Sequence, residues 1–157
     1  MYNVPVSAKE AKAMTGIMDS PFKAISILYR KSHIWLSEGC VQYDLTAAQA
    51  VVILIVCDYE QLTQDEITKR LGLDKSVIAK TVTKLAELGF IVRSTNPKDK
   101  RTFDIRPTEK AWAAYPHVQE QIEACFERMT ERMTETERAE FKRLLLLAAE
   151  TTIAQDE

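Results

Sequence analysis

The residues best suited to chemistry in this sequence are cations that gather in one polar turn. The stretch NPKDKRTF, residues 96–103, carries Lys98, Lys100 and Arg101 almost side by side. Ammonium and guanidinium groups bind phosphate, and an exposed guanidinium also fits the narrow, electronegative minor groove of DNA. Asp99, between the two lysines, can accept hydrogen bonds from turn amides or from Arg101 and hold the turn in shape. We therefore expect a contact with a polyanion at this turn.

A second group of cations lies upstream, on a segment whose apolar spacing predicts a helix. Ile78, Val82 and Leu85 recur at helical intervals and should face a core. The opposite face has donors and small residues and no acid: Lys75, Ser76, Ala79, Lys80, Thr83 and Lys84. Such a face can approach the phosphates of DNA, but an ordinary solvated helix face has the same composition. The neighbouring elements decide between these two interpretations.

The cationic face belongs to the second of two short helices joined by a glycine turn. Thr63 and Glu66 form a predicted capping box at the start of the first helix, and Gly72 supplies its left-handed stop. Asp74 is the predicted N-cap of the second helix, which should end at Gly89. So short a connection is typical of the helix-turn-helix, whose second helix enters the DNA major groove.

A β-hairpin is predicted directly after the second helix. The runs GFIVRST and TFDIRP have strand-like composition, and the Asn-Pro pair between them initiates a turn. This hairpin has the position of the wing in a winged helix-turn-helix, with the cationic turn at its tip. The tip therefore marks a second point of contact beside the helix in the major groove.

Long helices are predicted on both sides of this module. The first should begin at Pro21, capped by Asp19 or Ser20. Capping residues mark three further starts: Thr46 with Gln49, Thr108, and Thr134 with Glu137. The helix after Thr108 is expected to extend to Met133, with a kink at Pro116.

These helices exceed what a winged module of about 45 residues needs for its own core. We interpret residues 1–45 and 108–157 as a helical dimerisation region, and residues 46–107 as a winged helix-turn-helix lobe for DNA. The expected fold is mainly α with a small β-hairpin wing.

The charge distribution agrees with this division. Residues 63–106 contain ten Lys or Arg and six Asp or Glu, a net charge of +4, so the rest of the chain must carry −6 to give the total of −2. A basic centre between acidic flanks is typical of a polyanion-binding surface on a scaffold that does not touch the polyanion.

Missing motifs argue against several other classes of protein. The sequence has no GxSxG, P-loop, HExxH or dinucleotide fingerprint, so we expect neither an enzyme nor a bound cofactor. His33 and His117 lie far apart and belong to no recognisable metal-ligand cluster. The apolar run AVVILIVC is shorter than the roughly 18 residues that span a bilayer, and no signal-peptide pattern opens the chain, so a cytoplasmic location is expected.

Residues 62–111 resemble the MarR family of transcriptional regulators. They read LTQDEITKRLGLDKSVIAKTVTKLAELGFIVRSTNPKDKRTFDIRPTEKA, with the family's helix-turn-helix and an Asp-x-Arg element at residues 99–101. Pro107 and Ala111 replace the usual Leu and Gly. The resemblance implies a homodimer built on the first, fifth and sixth helices that binds a pseudo-palindromic operator, often as a repressor. It also implies that Arg101 enters the minor groove with Asp99 as its positioning partner.

The resemblance further implies release by a small phenolic or lipophilic acid bound between the two regions. The candidate lining residues are aromatic or cationic: Tyr29, Arg30, His33, Trp35, Tyr43 and Tyr59. This set suits an aromatic carboxylate, but aromatic residues at helical spacing also fit a core or a dimer interface.

Two alternatives to ligand-controlled DNA binding stay open. One is a thiol-based switch at Cys40, Cys57 or Cys125. The position of Cys40 near a helix end disfavours a thiolate, and the apolar surroundings of Cys57 should raise its pKa. The other is a winged helix that binds protein, although such a module has no evident need for a cationic wing.

Overall fold

Six α-helices and a small sheet follow one another in the computed structural model, which describes residues 20–154. The helices are α1 (Pro21–Gly39), α2 (Ala47–Tyr59), α3 (Gln64–Leu71), α4 (Lys75–Glu87), α5 (Glu109–Met129) and α6 (Glu135–Ala154), with a 3-10 turn at Val41–Tyr43. The strands are β1 (Leu62–Thr63), β2 (Ile91–Thr95) and β3 (Phe103–Pro107). The predicted cap Asp19 lies outside the described residues, as do the outer ends of the predicted dimerisation region.

Capping boxes open α2 and α3 as predicted. The hydroxyl of Thr46 accepts from the Gln49 amide (3.4 Å), while the Gln49 side chain accepts from the Thr46 amide (2.8 Å). Thr63 and Glu66 repeat the arrangement at 3.3 and 2.7 Å. Hydrogen bonds from the Thr63 amide and hydroxyl hold the pKa of the Glu66 carboxyl below its usual value. Local sequence therefore sets the start of both helices.

Two predicted caps are positioned without their hydrogen bonds. Ser20 and Asp74 occupy the N-cap positions of α1 and α4, but neither side chain makes a capping bond within the described part of the chain. The start of α1 is instead favoured by Pro21 at the first helical position. The start of α4 is favoured by the packing of that helix against the core. At the other end of α3, Gly72 adopts the predicted left-handed conformation, with φ of 58°.

The start of α5 is confirmed and its predicted end is wrong. The Thr108 hydroxyl accepts from the Ala111 amide (3.4 Å), and the helix continues through Pro116. It ends at Met129 and not at Met133, because the buried Thr130 leaves helical geometry. The Thr130 hydroxyl donates to the Phe126 carbonyl (2.8 Å), so this side chain satisfies one of the terminal carbonyls.

The wing forms at the predicted place in the chain, and a third strand extends it. The order is β1-β3-β2, all antiparallel, with Arg93 opposite Ile105 and Ser94 opposite Asp104. Strand β1 places Thr63 opposite Asp104 on the other edge of β3. The sequence did not predict β1, because two residues are too few to show an alternating pattern.

The core surrounds α2, which is buried on most sides. Fully buried apolar side chains from several elements meet there: Ile53 and Val56 of α2, Ile78, Val82 and Leu85 of α4, Phe90, Ile105 of β3, and Val118 of α5. Burying each of these side chains contributes about 1.5 to 3 kcal/mol. Since α4 gives three residues to this core, its opposite face is held outward.

Helix α6 lacks such cover in the single chain. Its leucines Leu144, Leu145, Leu146 and Leu147 are 45–54% exposed, and none of its residues is buried. Four consecutive residues point in all directions around a helix, so the apolar surface is not confined to one side. Within residues 20–154, no helix is long and apolar enough to cross a membrane.

Candidate nucleic-acid interface

The outer face of α4 presents the predicted cations to solvent. Ile78, Val82 and Leu85 are 0% exposed, which fixes the rotation of the helix about its axis. On the opposite side, Ala79 is half-buried and the other five predicted contact residues are exposed: Lys75, Ser76, Lys80, Thr83 and Lys84. A shallow depression of about 370 Å³ runs between Ala79 and Glu87. This face has the shape and charge to approach a phosphate backbone.

Two lysines on this face already pair with acids. Lys75 Nζ lies 3.0 Å from the carboxylate of Asp65 on α3, and Lys84 Nζ lies 3.4 Å from Glu87. Both pairs are exposed, and such pairs are worth roughly 0 to 1 kcal/mol. A phosphate group can therefore replace either carboxylate at small cost. The pairing of Lys75 with Asp65 was missed from the sequence because it joins two different helices.

Hydrogen bonds among its own residues shape the wing tip. Asp99 Oδ1 accepts from the amide of Arg101 (3.0 Å) and from its Nε (3.2 Å), as the sequence predicted. Asn96 Oδ1 accepts from the amides of Lys98 (2.8 Å) and Asp99 (3.1 Å). The Arg101 side chain nevertheless remains 91% exposed. Its guanidinium is thus oriented by Asp99 and still free to contact a ligand.

A small cleft separates the wing from the start of α3. It measures about 160 Å³ and is lined by polar residues around the start of α3 and by two arginines of the wing: Thr63, Gln64, Asp65, Arg93, Arg101 and Thr102, with Phe103 and Ile105. Arg93 also lies over the Phe103 ring, 5.4 Å from its centroid. Because Asp65 holds Lys75 of α4, this cleft joins the wing cations to the first residue of the α4 face.

A buried acid lies at the base of the wing. Asp104 is 2% exposed and accepts from Gln61 Nε2 (2.9 Å) and from Asn96 Nδ2 (2.6 Å). Gln61 Oε1 in turn accepts from Arg106 Nε (3.1 Å) and Nη2 (2.6 Å). Sequence reasoning missed this network. The available signal was an acid within a strand-like run, which needs partners when it is buried.

The six predicted effector residues occupy separate places in one chain. The rings of Tyr29 and His33 lie 4.2 Å apart on α1, beside the exposed Arg30. The other three rings have partners of their own: Trp35 with the Arg128 guanidinium (4.3 Å), Tyr43 with the His117 ring (5.6 Å) and Tyr59 with the Arg70 guanidinium (3.9 Å). A common effector site stays a prediction.

The three cysteines are buried free thiols. Burial is the largest cause that raises the pKa of each, and it brings the pKa of Cys57 to about 11, with a smaller contribution from Asp58. The predicted rise for Cys57 is confirmed. All three side chains are therefore protonated near neutral pH and poorly nucleophilic. Among residues 20–154, no three His, Cys, Asp or Glu side chains are grouped so as to hold a metal ion.

Comparison with known proteins gives a consistent result. The sequence profile of the MarR family matches residues 43–102. YdcH of Bacillus subtilis, an uncharacterized HTH-type transcriptional regulator, is 30% identical over 112 residues, which cover 64% of this chain and 76% of that protein. An uncharacterized HTH-type transcriptional regulator of Bacillus cereus is 36% identical over 78 residues, or 50% of this chain, and the match spans 51% of that relative's length.

A solved structure extends the likeness to the fold. The crystal structure of a mutant MarR from E. coli complexed with operator DNA has a TM-score of 0.75 at 24% identity, covering 86% of this chain and 96% of that one. The shared fold includes the winged helix-turn-helix described above. From the profile match and the similarity to YdcH, this chain belongs to the MarR family, whose members are transcription regulators and not enzymes.

Proposed function

We propose that this protein binds a pseudo-palindromic DNA operator as a homodimer and represses transcription there. Helix α4 enters the major groove and the wing tip contacts the adjacent minor groove. The proposed contacts are Lys75, Ser76, Ala79, Lys80, Thr83 and Lys84 on α4, and Lys98, Asp99, Lys100 and Arg101 on the wing. The two half-sites of such an operator lie roughly 34 to 36 Å apart, or a multiple of that distance.

One observation carries the DNA-binding part of this proposal. The oriented guanidinium of Arg101 lines the same small cleft as Asp65, and Asp65 pairs with Lys75 at the start of the α4 face. Separate cationic patches occur on many proteins, but a helix face and a wing arranged side by side match two adjacent DNA grooves. The E. coli protein of similar fold was solved in complex with operator DNA, which supports DNA as the partner.

The dimer is supported by the apolar surface that α1 and α6 leave exposed. Phe22 and Ile25 on α1 are 77% and 63% exposed, and the four leucines of α6 are about half exposed. Exposed apolar side chains of this kind are typical of a protein interface. A second copy of the chain covers this surface, so that residues 1–45 and 108–157 form the dimerisation region and residues 46–107 the DNA-binding lobe.

Release by a small aromatic carboxylate is the second part of the proposal. It is supported by the contact of Tyr29 with His33 beside Arg30, which offers aromatic surface and a cation on one helix. Benzoate added to the protein–operator complex should lower the fluorescence anisotropy of the DNA. An Arg30→Ala variant should need more benzoate for the same effect.

Titration of DNA tests the proposal directly. Purified protein is added to fluorescent duplexes from the upstream region of its own gene and to a scrambled duplex, at several salt concentrations. We expect specific binding with a steep negative salt dependence. Arg101→Ala should weaken it by about 1 to 3 kcal/mol, because an oriented guanidinium is lost.

Arg132→Ala is the matched control, since Arg132 is an exposed arginine of the loop between α5 and α6. It removes the same charge outside the DNA-binding lobe and should leave the affinity unchanged. If folded dimeric protein binds neither duplex, or binds without salt dependence, the winged helix that binds protein becomes the better explanation.

A further inference from the structure

Asp104 is a buried acid at the centre of a small cationic sheet. It is 2% exposed and lies on β3 between Ser94 of β2 and Thr63 of β1. Burying a carboxylate is unfavourable unless its oxygens receive hydrogen bonds. Both oxygens of Asp104 do, one from Gln61 and the other from Asn96. The two donors come from opposite sides of the wing.

The orientation of the Gln61 amide is fixed by Arg106. A guanidinium has donors and no acceptor, and Arg106 directs two of its donors to Gln61 Oε1 (3.1 and 2.6 Å). Gln61 must therefore turn its NH₂ group toward Asp104 Oδ2, 2.9 Å away. The Arg106 guanidinium is therefore engaged in a contact inside the fold. It also prevents the Gln61 amide from flipping, so Gln61 cannot accept a hydrogen bond from residue 104.

The orientation of the Asn96 amide is fixed in the same way by the backbone of the wing tip. The amides of Lys98 and Asp99 are donors only, and both bond to Asn96 Oδ1 (2.8 and 3.1 Å). Asn96 must therefore turn its NH₂ group toward Asp104 Oδ1, 2.6 Å away. Position 104 thus faces donors on both sides, and a carboxylate is the group that satisfies both.

This chain of bonds runs from the wing tip to the end of α2. Gln61 follows α2 in a tight turn, with its own amide bonded to the Tyr59 carbonyl (2.6 Å) and with Glu60 at φ of 60°. Asn96 shapes the turn that carries Lys98, Asp99 and Arg101. We propose that Asp104 is a positioning residue for DNA binding, whose carboxylate locks the cationic wing tip to the core by joining Asn96 to Gln61. The proposal rests on the function proposed above.

Electrostatics and positioning make opposite predictions for Asp104→Asn. Removing a negative charge from a DNA-binding lobe should tighten binding if charge alone matters. The asparagine NH₂, however, would face the NH₂ of Gln61 or of Asn96, leaving a buried donor unpaired and the tip released. We expect affinity to fall about tenfold, because binding must then restore the wing conformation. Asp58→Asn, the same change at an exposed acid of this lobe that is not among the proposed DNA contacts, should bind DNA equally or more tightly.

Exchanging the two partners provides a rescue test. Asn96→Asp alone places two carboxylates against each other and should weaken binding. The double variant combines Asn96→Asp with Asp104→Asn. The carboxylate now at position 96 accepts hydrogen bonds from the tip amides and from the side-chain NH₂ at position 104. The side-chain oxygen at position 104 accepts a hydrogen bond from Gln61. Every donor is satisfied again and the net charge equals that of the wild type. This variant should recover most of the lost affinity, because the hydrogen bonds that hold the wing tip are restored.

The experiment combines anisotropy with amide hydrogen exchange in the absence of DNA. In Asp104→Asn, hydrogen exchange at the amides of Lys98 and Asp99 should become faster, while the buried amides of α4 stay protected. Thermal unfolding and the mass of the dimer show whether the variants are folded. Binding by Asp104→Asn as tight as that of the wild type, or failure of the exchanged variant to recover, would overturn the inference. If the wild type itself binds no operator, the proposed function fails, and the role of Asp104 in DNA binding fails with it. Unchanged hydrogen exchange at the wing tip of Asp104→Asn would show separately that Asp104 does not hold the wing.

Discussion

Acids in the proposed DNA-binding lobe pair with its cations and do not simply cancel their charge. Asp99 receives two hydrogen bonds from Arg101 and so orients its guanidinium. Asp65 holds the first residue of α4, Lys75, at 3.0 Å. A count of charges treats these acids as losses to a DNA-binding surface. Their contacts show that each acid pairs with one particular cation, which a count of charges in the sequence does not reveal.

The side chain of Cys57 makes the stability of the fold depend on pH. Its pKa is raised from 9.0 to about 11 in the folded chain, so folding favours the protonated thiol. That contribution is fully present below pH 9 and is lost as the pH rises through about 11. We expect the free energy of unfolding to fall over this interval by at most about 3 kcal/mol from this group. Urea unfolding under reducing conditions between pH 8 and pH 11 measures the slope.

Two alanine variants isolate this contribution. Cys57→Ala should have a shallower pH slope than the wild type. Val56→Ala removes a neighbouring buried side chain that does not titrate, so it should lose stability by a similar amount at every pH. The same slope in both variants would show that Cys57 is not the source.

The helices differ in how strongly local hydrogen bonds set their starts. The capping box of α2 is complete, whereas Ser20 at the start of α1 makes no side-chain capping bond among the described residues. Thr46→Ala should therefore lower the free energy of unfolding by about 1 kcal/mol. Ser20→Ala, the same kind of change at an N-cap, should cost a few tenths of that amount. Equal losses in chemical denaturation would contradict the role given to the Thr46 side chain.

The wing depends on an element that its own hairpin does not contain. Strand β1 adds Thr63 beside Asp104, and Gln61 just before it supplies one of the bonds to that carboxylate. The hairpin register follows from the turn and from the two strand-like runs. Its attachment to the core follows from residues about forty positions earlier in the chain. The orientation of the wing relative to α4 is thus a tertiary property.

The proposed dimer depends on α6. Leu145 is 45% exposed in the single chain and lies among three other half-exposed leucines. Leu145→Glu should convert the proposed dimer to monomer, because a carboxylate cannot be buried there without a partner. Sedimentation equilibrium measures the change, and operator affinity should fall with it, since two half-sites are no longer bound together.

Val92→Glu is the control for this variant. Val92 is an apolar residue of β2 that is 53% exposed, and it lies in the DNA-binding lobe. The Val92→Glu variant should still form the proposed dimer. A dimer of Leu145→Glu as stable as that of the wild type would show that α6 is not the interface.

The sequence by itself determined the features that depend on neighbours within a few positions. Capping boxes, the left-handed Gly72 and the burial of every third or fourth residue of α4 are all read from local spacing, because helix starts, stops and faces obey short-range geometry. The hairpin and its cationic tip follow for the same reason. The winged helix-turn-helix and the family resemblance were therefore accessible before any coordinates.

The tertiary structure decided what distant residues do together. It alone pairs β1 with β3, joins Gln61 and Asn96 through Asp104, and brings Asp65 to Lys75. It also ends α5 at Met129, where Thr130 enters the core, and sends the predicted effector residues to separate partners. These contacts depend on which elements pack against each other, and no short-range pattern encodes that choice.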